Sequence, residues 1–231
     1  MQVGAHPFGQ DTVGRDYFAL TMRGTQQSLV VALVIGLLTT MIGALLGALA
    51  GFYGGRTETV VMRGTDLLIT IPLLVVAAVI GRKFGAQGAL VLSVFLALVL
   101  WPSIARLVRG EVLALRHAEF VQASRALGAP SRWIIMRHIL PNASGTLIVA
   151  ATLTVAEAIL LESVLSYLGF GIRPPDTSLG LLISQYQDAF STRPWLFWWP
   201  GLFIVAIALS VNFIGDGLRD AYDPRHTRGR A

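Results

Sequence analysis

Five long apolar runs, separated by short charged segments, constrain this chain more than any other feature of its sequence. A helix that crosses a bilayer needs about 20 apolar residues, and its backbone groups must find hydrogen-bond partners within the segment. The runs do not alternate polar and apolar residues as barrel strands do. We therefore predict an all-α integral membrane protein with about five spanning helices. The predicted spans are Ser28–Phe52, Asp66–Ile80, Gly88–Ala105, Leu140–Leu160 and Trp198–Gly217.

The second run is short and contains Pro72. We expect its helix to extend toward the N-terminus past Val60 and Val61, which places Arg63 and Asp66 near the membrane interface. The first run contains three glycines at a spacing of four, Gly43, Gly47 and Gly51, which a helix places on one face. Small residues on one face let two helices approach closely, so we predict tight packing in a helix bundle.

The composition excludes several classes of function. Charged residues make up 13% of the chain, against about 25% in soluble domains. The chain has no cysteine, and its four histidines are far apart, so we predict no metal site and no catalytic residues. Lys83 is the only lysine and Arg82 precedes it, so the Gly-Lys pair of a phosphate-binding loop is absent. If ATP drives this protein, another chain must bind it.

The net charge of +5 does not indicate a nucleic-acid partner, because the basic residues cluster between the apolar runs. The segments after runs one, three and five hold twelve basic residues, and the opposite side holds six. The twelve are Arg56, Arg63, Arg106, Arg109, Arg116, Arg125, Arg132, Arg137, Arg219, Arg225, Arg228 and Arg230. Cytoplasmic loops carry the excess of basic residues, so we expect the N-terminus outside and the C-terminus in the cytoplasm.

This orientation predicts three regions. Residues 1–27 form an external segment, residues 28–217 the membrane domain, and residues 218–231 a cytoplasmic tail. Within the membrane domain, 106–137 is a cytoplasmic loop and 161–197 an external one. An external N-terminus without a signal-peptide core has two explanations: the tail crosses the membrane unaided, or a leading helix of the full protein is missing from this chain. We favour the second.

The cytoplasmic loop contains a short amphipathic pattern over Ala118–Leu127. Phe120, Ala123, Ser124 and Leu127 fall on one face of a helix, and Gly128 and Pro130 follow it. Glycine after the last turn and proline beyond it are typical of a helix end. We expect Ser131 to cap a second helix, which Pro141 would kink as it enters the fourth span. The short helix suits either docking into a groove of a partner protein or lying on the lipid interface.

The same loop resembles a motif of a known family. The run from Glu119 to Asn142 is similar to the EAA loop of ABC importer permeases, with Gln122, Ala123 and Ser124 at the Glu-Ala-Ala positions. Gly128 and the pair Leu140-Pro141 are kept, while His138 stands where isoleucine is usual. The resemblance implies a coupling helix that docks on an ATPase subunit. The residues that it would place at that contact are Glu119, Phe120, Gln122, Ala123, Ser124, Ala126, Leu127 and Gly128.

Four further segments are similar to the dipeptide, oligopeptide and nickel branch of that family, and to its C-type permeases. They are residues 6–16, 51–55, 168–175 and 215–225. The resemblance implies a type I importer fold with six spans, of which this chain would lack the first. It also implies a homologous second permease, two ATPase subunits that bind ATP and Mg, an external substrate-binding protein and a bacterial inner-membrane location. The cargo would be peptides, moved by alternating access.

Glu157 is an acidic residue inside the fourth run, and it is interpreted either as a pathway residue or as a buried structural contact. Glu162 is expected nearer the outer interface, where its charge is less perturbed. The external loop contains a predicted short helix over Leu179–Phe190, and Trp195, Trp198 and Trp199 are typical of an interfacial aromatic belt.

An ion-coupled carrier and a membrane enzyme remain alternatives. The first would need several ionisable residues at membrane depth, and the second a catalytic constellation.

Overall fold

The computed structural model describes residues 6–222 of the chain, and within that range it contains helices and no strand beyond one isolated bridge. The first five α-helices are α1 (Tyr17–Tyr53), α2 (Gly55–Thr70), α3 (Leu73–Phe84), α4 (Ala89–Leu100) and α5 (Pro102–Leu115). The next six are α6 (Glu119–Ala126), α7 (Ser131–Ile134), α8 (Leu140–Asn142), α9 (Ser144–Tyr167), α10 (Leu179–Tyr186) and α11 (Trp195–Tyr222). Of the predicted tail, residues 223–231 lie outside the described part, with Arg225, Arg228 and Arg230.

The helices fit the prediction of about five membrane spans. Three of them, α1, α9 and α11, are each long and apolar enough to cross a membrane. The pairs α2–α3 and α4–α5 have this character only when each pair is taken together, and they are bent by 85° and 47°. Counting each bent pair as one span gives five. The all-α fold class is therefore confirmed.

Two predicted spans need correction because proline interrupts them. The second was expected to run as one helix over Asp66–Ile80, but the chain breaks between α2 and α3. Ile71 is extended there, since a residue before proline avoids the α-helical region. Pro72 also lacks the N–H that would continue the helix. In the third span, Pro102 begins α5 as a separate helix at the 47° bend.

The first helix was also predicted too short, since α1 begins at Tyr17 and not at Ser28. It contains 37 residues. At about 1.5 Å per residue its length is about 55 Å, against about 30 Å for the hydrocarbon layer of a bilayer. Part of the segment predicted to be external is therefore the beginning of this helix.

The entry into α9 differs from the predicted capped and kinked helix. Ser131 is the first residue of α7 and makes no capping bond, because Pro130 occupies the capping position. A five-residue π-helix, Ile135–Ile139, precedes α8, and Pro141 lies within α8. The kink that was predicted at Pro141 alone is therefore preceded by a second irregularity, the wider turn of the π-helix.

The chain divides into two compact units. One comprises the residues up to Gly36 together with Pro72–Leu96 and Val155–Asn212, and the other comprises Leu37–Ile71, Ala97–Thr154 and the residues from Phe213 onward. A cluster in the first unit contains the buried side chains of Tyr17, Leu182, Tyr186 and Leu196. A cluster in the second unit contains Phe52, Val108, Val112, Val121 and Ile139, among others.

The glycine face of α1 packs against α5, as the spacing predicted. A methyl group added at Gly51 would lie 2.9 Å from Cβ of Val112, and one added at Gly47 would lie 2.9 Å from Cβ of Val108. Real Cβ atoms do not approach that closely, so the two helices could not keep this separation with alanine at these positions.

Candidate functional site

Helix α6, Glu119–Ala126, occupies the position predicted for the short amphipathic helix, Ala118–Leu127. Its end is fixed by backbone bonds: the N–H of Gly128 donates to the carbonyl of Arg125 at 2.9 Å, and that of Ala129 to the carbonyl of Ser124 at 3.0 Å. This pair of bonds is the Schellman motif, which requires a left-handed residue after the cap. Gly128 supplies it with φ of +81°. The helix therefore stops where the sequence predicts.

Val121 anchors α6 to its unit. Its side chain is 0% exposed and belongs to the cluster formed with Phe52, Val112 and Ile134. The guanidinium of Arg125 lies 4.7 Å from the centre of the Phe52 ring, which adds a cation–π contact between α6 and α1. Val121 was not among the residues predicted from the sequence. Its signal was a β-branched apolar residue about 100° around the helix from Phe120.

The side chains that the sequence assigned to a docking face point away from that anchor. Leu127 is 88% exposed and Phe120 is 39% exposed. Of the other six residues of that set, Ser124 is half-buried and the remaining five are exposed. An exposed leucine beside a partly exposed phenylalanine is a small apolar surface, and on its other side the Phe120 ring lies 6.0 Å from the His138 ring, centre to centre.

Hydrogen bonds within the loop orient this surface. The Gln122 side-chain amide donates to the carbonyl of His117 at 2.9 Å, and the Ser124 hydroxyl donates to the carbonyl of Phe120 at 2.8 Å. Gln122, which stands where the motif has glutamate, therefore makes a bond that a carboxylate could not donate.

Arginines of the loop tie it to neighbouring helices of the same unit. Arg116 donates to the carbonyl of Gly51 at 3.1 Å, near the C-terminal end of α1, where a cation is favourable. Arg109 on α5 pairs with Glu58 on α2 through its Nε at 2.7 Å. A second pair joins Arg106 to Asp66 at 2.5 Å. These contacts connect the segment that precedes α6 to α1 and α2, so a movement of α6 can be transmitted to both helices.

Glu157 lies near the middle of α9 and its side chain is exposed on the surface of the chain. The reading of Glu157 as a contact buried within this chain is therefore wrong. A charge at the bilayer centre costs at least about 2.5–3.5 kcal/mol. Lipid is thus an unfavourable environment for this side chain, and water or a partner chain is favoured.

Glu162 is the buried acid of α9, contrary to the expectation of a less demanding site. It is 0% exposed. The Ser28 hydroxyl donates to its Oε2 at 3.0 Å and the Ser166 hydroxyl to its Oε1 at 2.6 Å. The two serines in turn accept backbone N–H bonds from Leu179 at 3.3 Å and Ile172 at 3.1 Å. Glu162 therefore holds the segment between α9 and α10 against α1 and α9.

The predicted external loop contains the predicted helix, as α10 followed by a 3₁₀ turn over Gln187–Ala189. Ser178 caps α10 by accepting a bond from the N–H of Leu181. The Tyr186 hydroxyl donates to Oδ2 of Asp11 at 3.0 Å, and Arg193 donates to the Asp11 backbone carbonyl at 2.9 Å. The N-terminal residues before α1 are thus fastened to the α9–α11 region.

Asp11 is the centre of this connection. Burial acts to raise the pKa of its carboxyl group, but four hydrogen bonds act against burial. They come from the backbone and guanidinium of Arg15, the backbone of Val13 and the hydroxyl of Tyr186, and they hold the pKa below its ordinary value. Burial and the Asp11 carboxylate both raise the pKa of Tyr186. Trp199 of the predicted aromatic belt stacks on Phe8 at 3.9 Å between ring centres.

Within residues 6–222, no group of three or more histidine, aspartate or glutamate side chains is arranged to hold a metal ion.

Comparison with known proteins identifies the class to which this arrangement belongs. Residues 43–228 match the profile of a family described as binding-protein-dependent transport system inner membrane component. The chain belongs to this family. It is a permease subunit of an ABC importer, a multi-pass inner-membrane protein and not itself an enzyme, since the ATPase is a separate subunit. The resemblance noted in the sequence is confirmed.

Among its relatives, the chain is 45% identical over 226 residues to a protein of Brucella ovis named as a candidate peptide permease, covering 95% of this chain and 73% of that protein. It is 40% identical to the oligopeptide transport system permease protein OppC of Mycobacterium tuberculosis, covering 95% and 76%.

A solved structure supports the fold. A chain of the MetNI methionine ABC transporter, in an inward-facing conformation, superposes with a TM-score of 0.70. The match covers 88% of this chain and 96% of that one at 23% identity.

Proposed function

We propose that this chain forms half of a translocation pathway for peptides in an ATP-driven importer, and that α6 is its coupling helix. The names of the OppC relatives support peptides as the cargo. The family implies ATPase, second-permease and substrate-binding partners. In the proposed assembly, one homologous permease faces this chain, two ATPase subunits hold ATP and Mg, and a binding protein delivers cargo from outside.

The observation that supports the coupling role is that one side of α6 is buried and the other is exposed. One side is fixed by Val121, which is fully buried in the cluster of its unit. The other side presents Phe120 and Leu127, which are 39% and 88% exposed. A helix anchored on one side and apolar on the other fits a groove on a second protein. Because Arg125 and Arg116 connect the loop to α1, movement of the helix would be passed to a spanning segment.

The proposed mechanism is alternating access without covalent chemistry on this chain. Closure of the two ATPases on ATP would bring the coupling helices of the two permeases together, and the connected spans would open the pathway to the other side. The docking residues proposed are Glu119, Phe120, Gln122, Ala123, Ser124, Ala126, Leu127 and Gly128. The proposed orientation has residues 1–27 and the loop 161–197 outside, and the loop 106–137 and the tail 218–231 in the cytoplasm.

A charge placed on the exposed face of α6 tests the docking role. Leu127→Asp should abolish peptide uptake and reduce recovery of the ATPase with the purified permease, while membrane insertion stays normal. The control is Val13→Asp, an equally drastic change at another exposed apolar side chain. It should leave ATPase recovery unchanged. Normal uptake and normal ATPase recovery with Leu127→Asp would exclude the docking assignment, and would favour contact of this face with lipid.

A further inference from the structure

One face of α9 is buried and the other carries an exposed acid, Glu157. Ala156, Ala158 and Ile159 are buried within the first unit. Glu157, by contrast, is exposed, and so are Leu160 and Val164, which lie three and seven residues further along the helix. These three residues share one face because i, i+3 and i+7 repeat on an α-helix. We call them the α9 stripe.

The position of Glu157 restricts what the α9 stripe can face. The residue is 13 positions after the first residue of a 24-residue helix, Ser144–Tyr167, so it lies about 20 Å along it at about 1.5 Å per residue. Acidic side chains at such depth face a water-filled cavity or a partner and not lipid. No arginine, lysine or histidine of residues 6–222 forms an ion pair with it. Within the part of the chain that the structure describes, its carboxylate is therefore left available to another group.

We propose that Glu157 lines the translocation pathway and favours cargo that carries a positive charge, as an ammonium or guanidinium group. This inference rests on the proposed function and adds a preference among peptides. A carboxylate only accepts hydrogen bonds, and ammonium and guanidinium groups only donate them.

The pathway suits this carboxylate better than a fixed contact with the second permease. In a permanent interface the carboxylate would lose its water in every state of the transporter, and only a well-placed cation could compensate for that loss. In a pathway it exchanges water for a cargo cation briefly and regains water after release.

The test compares two peptides in the complete importer. Initial uptake rates of Ala-Lys-Ala and Ala-Glu-Ala are measured in cells that contain the binding protein, both permeases and the ATPases but no other peptide importer. The binding protein is the same in every strain, so a change in the ratio of the two rates reports on the permease alone. In Glu157→Gln we expect the uptake rate of Ala-Lys-Ala to fall about fivefold relative to that of Ala-Glu-Ala. Glu157→Asp should keep most of the ratio.

Leu160→Gln is the matched control, since it adds the same amide to the α9 stripe without removing a charge, and the ratio should stay unchanged. Equal loss of both peptides in Glu157→Gln, an unchanged ratio, or loss of the second permease on purification would overturn the proposal. If the wild-type importer takes up neither peptide, the proposed function itself fails. That outcome is distinct, because it appears before any substitution is compared.

Discussion

The hydroxyl of Ser28 on α1 donates a hydrogen bond to Oε2 of Glu162 on α9, at 3.0 Å, in a site with no solvent exposure for either residue. The hydroxyl also accepts the N–H of Leu179, so one serine connects α1, α9 and the start of α10. A hydroxyl that accepts a backbone N–H still needs an acceptor for its own hydrogen, and the Glu162 carboxylate provides it.

Replacing this acceptor should weaken the first unit. Glu162→Leu leaves the hydroxyls of Ser28 and Ser166 buried without an acceptor, and each such loss costs about 1–3 kcal/mol. We expect the thermal midpoint of the purified importer to fall by about 5 °C or more, and proteolysis between α9 and α10 to become faster. Glu157→Leu is the matched control on the same helix, and its midpoint should not fall. Equal midpoints for both variants would show that the Glu162 network contributes nothing to stability.

The contact between α1 and α5 gives a second prediction. Gly47→Ala adds a methyl group 2.9 Å from Cβ of Val108 and even closer to the backbone carbonyl of Ala105, so the helices must move apart. Overpacking of this kind costs about 1–3 kcal/mol, which corresponds to a fall of about 5 °C in the thermal midpoint.

Gly110→Ala on α5 is the control for that change, since nothing lies within 4 Å of the added methyl group. Alanine is the better helix former, so this variant should be unchanged or slightly more stable. A Gly47→Ala protein as stable as Gly110→Ala would contradict the close approach of α1 and α5.

The Asp11 connection predicts a dependence on pH. The pKa of the Asp11 carboxyl group is lowered in the folded protein. The stability that this carboxylate contributes is therefore complete above its unfolded pKa of about 3.9, and it is lost as the pH falls through the lower folded value. Asp11→Asn should remove that contribution at neutral pH. We expect the amides of Val13 and Arg15, which donate to Oδ1 of Asp11, to exchange hydrogen about tenfold faster in this variant.

Asp188→Asn is the control, because Asp188 is exposed and belongs to the same compact unit as Asp11. It should leave the exchange of both amides unchanged. Protection of Val13 and Arg15 that is equal in wild type and Asp11→Asn at neutral pH would show that the carboxylate does not hold this segment.

Much of this architecture could be predicted because it follows from local rules. Apolar run length predicted the number and approximate positions of the spans. The glycine spacing predicted a face of α1 that packs closely on another helix, and Gly128 predicted the end of α6. An interruption of the helix at Pro72 could be expected from the sequence, but the 85° angle between α2 and α3 could not. That angle depends on the packing of each of the two helices. The π-helix before α8 has no signal in residue spacing.

The two acids of α9 show where sequence reasoning failed. Glu157 lies inside the predicted span Leu140–Leu160, and Glu162 lies just beyond it. A buried contact was one of two interpretations of Glu157, whereas Glu162 was expected to be less perturbed, but Glu162 is the buried residue. Which of them is buried depends on the side of α9 that faces α1, and a helix whose apolar residues surround it completely does not reveal that side. Only the partners of Glu162, which come from Ser28 far away in sequence and from Ser166 one turn away, distinguish the two.

The coupling role of α6 can be tested most directly by cross-linking at Leu127. The chain has no cysteine, so Leu127→Cys carries a single thiol that can be loaded with a benzophenone maleimide in the assembled importer. We predict that illumination joins the permease to the ATPase subunit with high yield, and that Val13→Cys, treated in the same way, gives no such product. A product with lipid alone, or labelling of Leu127→Cys by an impermeant maleimide applied to intact cells, would contradict the account.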